Sequence, residues 1–382
     1  MATALAGAGL AVCSPAAAEL GAPGPSLNDL ARKKGMRFGS AVASGASDVR
    51  RRGGSIDNPA YAAVVADECG LLVPENEMKM QTLRPDPASF DFSRADRLMA
   101  FAAERSLDVR GHNLIWHNSK WLPAWVNQYD FGSRPASAAE ALLTAHIDTV
   151  CRHFGPAIRS WDVVNETIDP VTGQMRETVF TRYLGDKVID IAFHAARAAL
   201  PDCQLVYNDY MEWEAGNERH RAGVLTLLER LRRDGAPVDA LGLQSHLGGD
   251  SDLQGPAGAP QPEAWRRFLE EAAGMGLDLL VTELDVNDRN LPPDPAARDR
   301  AAASYVRDYL DLTLSFPQVQ DVLAWGMVDR FSWLNDRTPR PDGLPRRPCP
   351  YDGDYRPKPM REAIAAALAS APPRSPPHPV HA

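Results

Sequence analysis

Nowhere does this 382-residue sequence hold a run of the ~20 consecutive apolar residues that a membrane-spanning helix requires. Basic residues are in the minority, 41 Lys and Arg against 50 Asp and Glu, for a net charge of −9. With acids spread along the chain, that balance argues against a nucleic-acid binder, which needs a basic face. A neutral partner would not be repelled. Cysteine is scarce. Five stand at 13, 69, 151, 203 and 349, without a CxxC pair or a Cys/His cluster. Neither a zinc site nor a disulfide framework is indicated, and no metal or cofactor is expected. Cys69 and Cys151 lie in apolar runs and read as buried free thiols, while a pairing of Cys203 or Cys349 stays open.

What is present is the composition of a globular chain, 44% hydrophobic, with an alternating rhythm of strand and helix. Short apolar strand candidates fall at 38–43, 71–74, 108–115, 160–165, 205–208, 240–244, 279–282 and 322–325. Amphipathic helices separate them at 94–105, 138–153 and 182–200, the first capped by Ser93 and the last stopped by Pro201. Eight such units predict an α/β fold, a single-domain (β/α)8 TIM barrel over 26–370 that closes with a helix at 359–369. Residues 1–18 carry no charge and end in Ser14-Pro15-Ala16-Ala17-Ala18. They read as a signal-peptide remnant without its basic n-region, which implies a secreted or periplasmic protein; a disordered Ala/Gly tail is the alternative. The Pro-rich segment 371–382 is expected to be disordered. Residues 335–350 should form a long loop on the face where strands end, leaving Trp333 beside it room to swing.

The strand ends carry the chemistry. Glu75-Asn76 follows the second strand and His112 lies in the third. Asn165-Glu166 ends the fourth, Asn208-Asp209-Tyr210 the fifth, and Gln244 with His246 the sixth. Glu283 ends the seventh and Trp325 the eighth. In a parallel barrel these ends converge on one face, where active sites sit. A single Glu is most often a solvated surface charge, but two Glu ending buried strands form the carboxylate pair that glycoside cleavage needs. Trp116, Trp121, Trp125, Trp325, Trp333 and Tyr210 stand in or beside the same ends, and aromatic rings stack on the C–H faces of sugars. The nearer readings for others are structural: His117 as a core histidine, Asp209 as a loop anchor, Trp265 as helix core, and Trp121 and Trp125 as loop packing.

These motifs resemble glycoside hydrolase family 10, the xylanases. The likeness runs through Phe38-Gly39-Ser40-Ala41, Pro74-Glu75-Asn76-Glu77-Met78-Lys79, Arg110-Gly111-His112-Asn113-Leu114-Ile115-Trp116-His117 and Trp161-Asp162-Val163-Val164-Asn165-Glu166. It continues through Asn208-Asp209-Tyr210, Gly242-Leu243-Gln244-Ser245-His246, Thr282-Glu283-Leu284-Asp285, Trp325-Gly326 with Ser332-Trp333, and Tyr355-Arg356-Pro357-Lys358-Pro359. The resemblance implies a retaining endo-β-1,4-xylanase acting on xylan or xylo-oligosaccharides, expected to be a monomer. It implies Glu166 as acid/base and Glu283 as nucleophile. Asn165 would hold the sugar 2-hydroxyl, and His246, oriented by Asp285, would bond the nucleophile. His112, Gln244 and Trp325 would line the same subsite, and Glu75, Asn76 and Lys79 the next sugar. Trp116 and Trp333 would wall the cleft, and Tyr210 would serve the leaving-group side. Three stretches depart from the family pattern: Met80 where Trp is usual, Asn118-Ser119-Lys120-Trp121, and Met211-Glu212-Trp213-Glu214.

Rival readings are weaker. A related cellulase or mixed-linkage glucanase often carries Asn-Glu-Pro at strand four, where Thr167 follows Glu166 here. A sugar-binding protein would be expected to have lost one glutamate. A phosphate-binding barrel would want a Gly-rich turn after strands seven and eight.

Overall fold

The computed structural model describes residues 24–45, 54–249 and 258–374. Its strands are β1 (Arg37–Val42), β2 (Leu71–Pro74), β3 (Asp108–Trp116), β4 (Ile158–Asn165) and β5 (Gln204–Asp209). They continue with β6 (Ala240–Leu243), its short extension β7 (His246–Leu247), β8 (Asp278–Val286) and β9 (Val319–Ala324). All pair in parallel, in the order β6-β5-β4-β3-β2-β1-β9-β8, and β6 pairs back onto β8. The sheet therefore closes into a barrel of eight staves, β6 and β7 sharing one. Closure leaves no unpaired sheet edge, which is why helices need cover only the outer face.

Alternation along each strand sorts residues into two cores. Ala41, Leu71, Val73 and Leu323 point inward and cluster with Trp325, and Val206, Ala240 and Leu280 form a second inner group. Their strand neighbours Val42, Leu72, Leu205, Leu241, Leu279 and Val322 join the large outer core beneath the helices. The interior also carries polar side chains, and these are paired, as burial demands. Arg110 donates to Asp162 Oδ1 at 2.5 Å, and Asp162 Oδ2 meets His112 Nδ1 at 2.8 Å. Removing one partner would leave a buried charge unpaired, so this column is a rigid support for His112.

Local details differ from expectation where the chain had better options. Ser93 is the first residue of the helix Ser93–Glu104, not its cap. Asp91 Oδ1 accepts from the Ser93 amide at 2.9 Å and takes over the terminal bonding. The helix expected over 182–200 is two, Val179–Leu184 and Lys187–Ala199, because Gly185 adopts φ 62° and ends the first. Cys69, Cys151, Cys203 and Cys349 are buried free thiols, so neither pairing left open occurs among the described residues. The Pro-rich tail begins later than 371. Arg374 is buried, donating to Val319 O at 2.7 Å and Leu314 O at 3.0 Å, which fastens 371–374 to the barrel base. The remaining residues, 375–382, and the signal-like segment 1–18 lie outside the described residues.

The 335–350 loop is pinned. Arg347 pairs with Asp299 at 2.6 Å, Arg346 Nη1 donates to Thr338 O at 2.8 Å, and Arg340 Nη2 to Leu291 O at 3.0 Å. Trp333, just before it, donates its indole N–H to Asp285 Oδ2 at 2.7 Å. That bond fixes the ring over the cleft, where the sequence suggested it could swing.

Candidate active site

The carboxyl ends of the strands open into one cleft of about 400 Å³. Of the fourteen side chains singled out in the sequence, thirteen line it; Asp285 stands behind, holding His246. Asn165 and Glu166 reach it as β4 ends, where Glu166 takes φ 55°. That left-handed turn is costly for a side chain with a Cβ, and it swings the carboxyl out of the strand into the cleft. The Glu166 amide is tied to Asn208 O at 2.9 Å.

Glu283 arrives by a different device. The β8–β9 ladder shifts register between Val281 and Leu284. Within the shift, Thr282 Oγ1 and Glu283 Oε1 both meet the Asn208 amide, at 2.7 and 2.8 Å. Strand alternation alone would have sent one of them away, so the irregularity brings both to Asn208.

The two carboxyls sit in opposed surroundings. Burial raises Glu283, but the His246 hydrogen bond at 3.1 Å and the nearby His112, His246 and Lys79 outweigh it and hold the acid at about 2. His246 is itself lowered by burial, yet Asp285 at 2.8 Å on Nδ1 and Glu283 on Nε2 keep it well above an ordinary imidazole. Glu166 is raised by burial, only partly offset by the Gln244 amide at 3.1 Å. One acid is kept ionised and the other is biased towards its protonated form.

Asn208 is the hub that sequence reasoning quoted but gave no role. Its NH2 donates to Asn165 Oδ1 and Glu283 Oε1, both at 2.8 Å, and its oxygen accepts from Thr282. Asn165 Oδ1 also accepts from Gln244 at 3.3 Å, which leaves its NH2 end as the group able to meet a ligand. Gly242 makes room for this hub: a Cβ there would stand 2.2 Å from Asn208 Oδ1. Gly242→Ala should therefore push Asn208 off its partners. We expect the barrel to fold and kcat/KM to fall by about 10²-fold, the usual cost of a misplacement near 1 Å. Steady-state kinetics alongside circular dichroism checks it; a fall under threefold would remove Asn208 from the positioning network.

Around this centre, Lys79 is buried, donates to Asn76 Oδ1 at 3.2 Å and lies 4.4 Å over the Trp116 ring. Met80, in the place of the usual Trp, starts a short helix and packs in the outer core behind Lys79. Trp325 meets His112 edge-on at 5.4 Å, and Trp333 stands 5.1 Å from His246. Tyr210 OH accepts from Arg176 Nη2 at 2.6 Å. Trp121 stacks on Trp116 at 4.6 Å and lines the cleft, so it is not mere loop packing. Trp125 donates to Arg84 O at 2.9 Å and packs in the outer core, and Trp265 is fully buried. Asp209 is structural, accepting from the Tyr210 amide and bonded to His220. His117 is buried, and burial lowers it to about 4.

Sequence reasoning missed Gln81, Asn118, Lys120, Arg176, Glu212, Asp336 and Arg337 as cleft residues. Arg176 is the most connected. Its Nε donates to Glu166 O at 3.1 Å and its Nη1 to Asp169 Oδ2 at 3.3 Å, bracing the turn that carries Glu166. It lies mid-loop, where no strand end marks it.

Comparison with known proteins agrees with this geometry. The sequence profile of Glycosyl hydrolase family 10 matches residues 26–367. The chain is 32% identical over 351 residues to endo-1,4-beta-xylanase 5 of Pyricularia oryzae, covering 90% of this chain and 79% of that protein. It matches native xylanase 10B of Thermotoga maritima with a TM-score of 0.77 and 31% identity, covering 90% of this chain and 98% of that one. Xylanase 10B of Thermotoga petrophila RKU-1, solved with xylobiose, gives 0.77 and 30%, covering 91% and 98%. With the match spanning every strand end that builds the cleft, on a barrel of the same shape, the chain belongs to glycosyl hydrolase family 10.

Proposed function

We propose that Glu166 is the acid/base and Glu283 the nucleophile of an endo-β-1,4-xylanase that cleaves internal β-1,4-xylosidic bonds with retention. The observation that carries the assignment is the unequal treatment of the two carboxyls. Glu283 is ionised under Asn208 and His246, and Glu166 is raised by burial. In the first step Glu166 protonates the glycosidic oxygen while Glu283 attacks the anomeric carbon, forming a glycosyl ester. In the second, Glu166 as carboxylate takes a proton from water, which attacks the same carbon and frees Glu283.

The remaining roles follow from position. Asn165 offers its amide to the sugar 2-hydroxyl, and His246 with Asp285 keeps the nucleophile charged. His112, Gln244 and Trp325 surround the sugar being attacked. Glu75, Asn76 and Lys79 bind its neighbour through hydroxyls, Trp116 and Trp333 wall the cleft, and Tyr210 meets the leaving sugar. A xylose lacks the hydroxymethyl group of glucose, and Trp333, fixed by Asp285, occupies space that group would need. All of these side chains come from one chain, which suits a monomer. A polymer too large to enter a cell suits a secreted or periplasmic location.

The test is the product. Proton NMR of the first sugar released from xylan should reveal the β-anomer, and xylan should be cleaved far faster than carboxymethyl-cellulose. Initial release of the α-anomer would exclude double displacement, and a preference for the cellulosic substrate would exclude the pentose site. The two carboxyls should stand about 5–5.5 Å apart in a complex with a bound oligosaccharide.

A further inference from the structure

His246, the partner of Glu283, stands on a very short piece of strand. β7 is two residues long, and its ladder lies on one side only. There His246 pairs with Asp285 and Leu247 with Val286 of β8, and the Asn287 amide donates to Leu247 O at 2.7 Å. On the other side β5 accompanies β6 only as far as Asp209 and Leu243, and among the described residues no strand covers that edge of β7. Backbone donors on such an edge need another acceptor.

Side chains supply the bonding at both ends of the segment, where φ is positive, 63° at Ser245 and 85° at Gly248. Ser245 Oγ is hydrogen-bonded to Tyr309 OH at 2.7 Å. The Gly248 amide donates to Glu214 Oε1 at 2.9 Å, and Tyr305 OH donates to the same oxygen at 2.5 Å. Tyr305 and Tyr309 lie one turn apart on the helix Pro295–Thr313, and both meet the buried Trp213 ring edge-on, at 5.4 and 5.3 Å. Arg221 donates to Glu214 O at 3.3 Å and to Gln261 Oε1 at 2.7 Å, which fixes this stretch between the helices Glu218–Arg233 and Pro262–Gly274. Glu214 belongs to the Met211–Glu214 stretch that departs from the family pattern, and it is fully buried without lining the cleft. Around it stand Tyr305, Tyr309, Arg221 and Glu212. Burial pushes its carboxyl up, against the Tyr305 and Gly248 bonds, but Oε1 can accept in either protonation state.

We propose that Glu214 is a positioning residue of the reaction: by accepting the Gly248 amide it fixes the uncovered edge of β7 and so keeps His246 Nε2 within reach of Glu283. The inference rests on the xylanase reading, and Glu214 acts only through His246. Its consequence is a pH effect. Burial raises Glu283, and the His246 bond at 3.1 Å is the largest influence against that rise; His112 and Lys79 assist, and Glu166 also faces it. If His246 drifts, Glu283 should rise from about 2 towards the ordinary carboxylate range, in part only, because His112 and Lys79 remain. The nucleophile must be ionised, so the acid limb of activity should move up in pH.

Glu214→Ala, Glu214→Gln and Tyr305→Phe test this through kcat/KM on an aryl xylobioside, whose first step does not depend on Glu166, over about pH 2.5 to 8. In Glu214→Ala the acid limb should move up by about one unit towards the ordinary glutamate value of ~4.3, and the rate near neutrality should fall about tenfold. Glu214→Gln keeps the shape and an acceptor for Gly248, so it should restore the wild-type limb and most of the rate. Tyr305→Phe keeps the ring on Trp213 and removes one bond that orients the carboxyl, so the limb should move the same way by less. Circular dichroism at each pH separates the limb from acid unfolding. A limb unmoved in Glu214→Ala (or in Tyr305→Phe, should Glu214→Ala not fold) overturns the proposal whatever the rate does, and leaves the xylanase reading intact. A limb moved as far in Glu214→Gln as in Glu214→Ala traces the effect to charge instead of the Gly248 bond and overturns it too. A wild type inactive on the aryl xylobioside overturns the xylanase reading itself.

Discussion

Glu283→Ala should abolish turnover on xylan and on activated aryl xylobiosides alike, by on the order of 10⁵-fold. An activated leaving group cannot help, because the element lost is the proposed nucleophile and without it no ester can form. The effect should not come from unfolding. Glu283 lies at the end of β8, and its partners have other bonds: Asn208 keeps Asn165 and Thr282, and His246 keeps Asp285. The deletion does leave His246 with one carboxylate instead of two, so its protonated form loses support. A small anion such as azide fits the vacated space and should restore some activity on the aryl substrate. The product would be the α-glycosyl azide, since attack from the nucleophile's side occurs once and is not undone. Measured turnover on the aryl xylobioside above about a hundredth of wild type would mean that Glu283 is misassigned.

The barrel was legible because its strands are buried on both sides and so are short apolar runs with sharp ends. Leu71–Pro74 is such a run, and its predicted and observed bounds coincide. The site was legible because a parallel barrel gathers strand ends, and polar residues that break an apolar run are conspicuous in sequence. Asn165-Glu166 after Val163-Val164 is the clearest case. Groups delivered by loops carry no such signal. Arg176 sits eleven residues past the end of β4, and nothing around it has a period. Asn208 was visible, but its role depends on Thr282 and Glu283 being brought to it by a register shift that sequence does not encode in any local pattern. The break at Gly185 was missed because helical periodicity persists across it, and a single Gly inside such a pattern does not reveal its φ. The bond from Trp333 to Asp285 joins residues 48 apart, a contact only the closed barrel creates.

Glu166→Ala should divide substrates by leaving group. Hydrolysis of xylan should fall by roughly 10³-fold, because the departing alcohol needs the proton that Glu166, as the proposed acid, would give. An aryl xylobioside with an acidic phenol needs no such help, so its first step should run near the wild-type rate. The second step still needs a base to activate water, so the ester on Glu283 should accumulate. Rapid mixing should then record a burst of phenolate equal to the enzyme concentration, followed by slow turnover. The pH profile separates this from a merely disturbed cleft. On the proposed mechanism, the first step on xylan in the wild type requires Glu166 protonated and Glu283 ionised. Glu166 is raised from the ordinary carboxylate range by burial, so activity declines on the alkaline side as that proton is lost above its elevated pKa. Glu283, held at about 2, sets the acid limb, where its protonation removes the nucleophile. In Glu166→Ala the alkaline limb should vanish for the burst phase, and the acid limb should stay. If burst and steady-state rates fall together on the aryl substrate, or if the alkaline limb survives, the proton comes from another group and Glu166 has been given the wrong part.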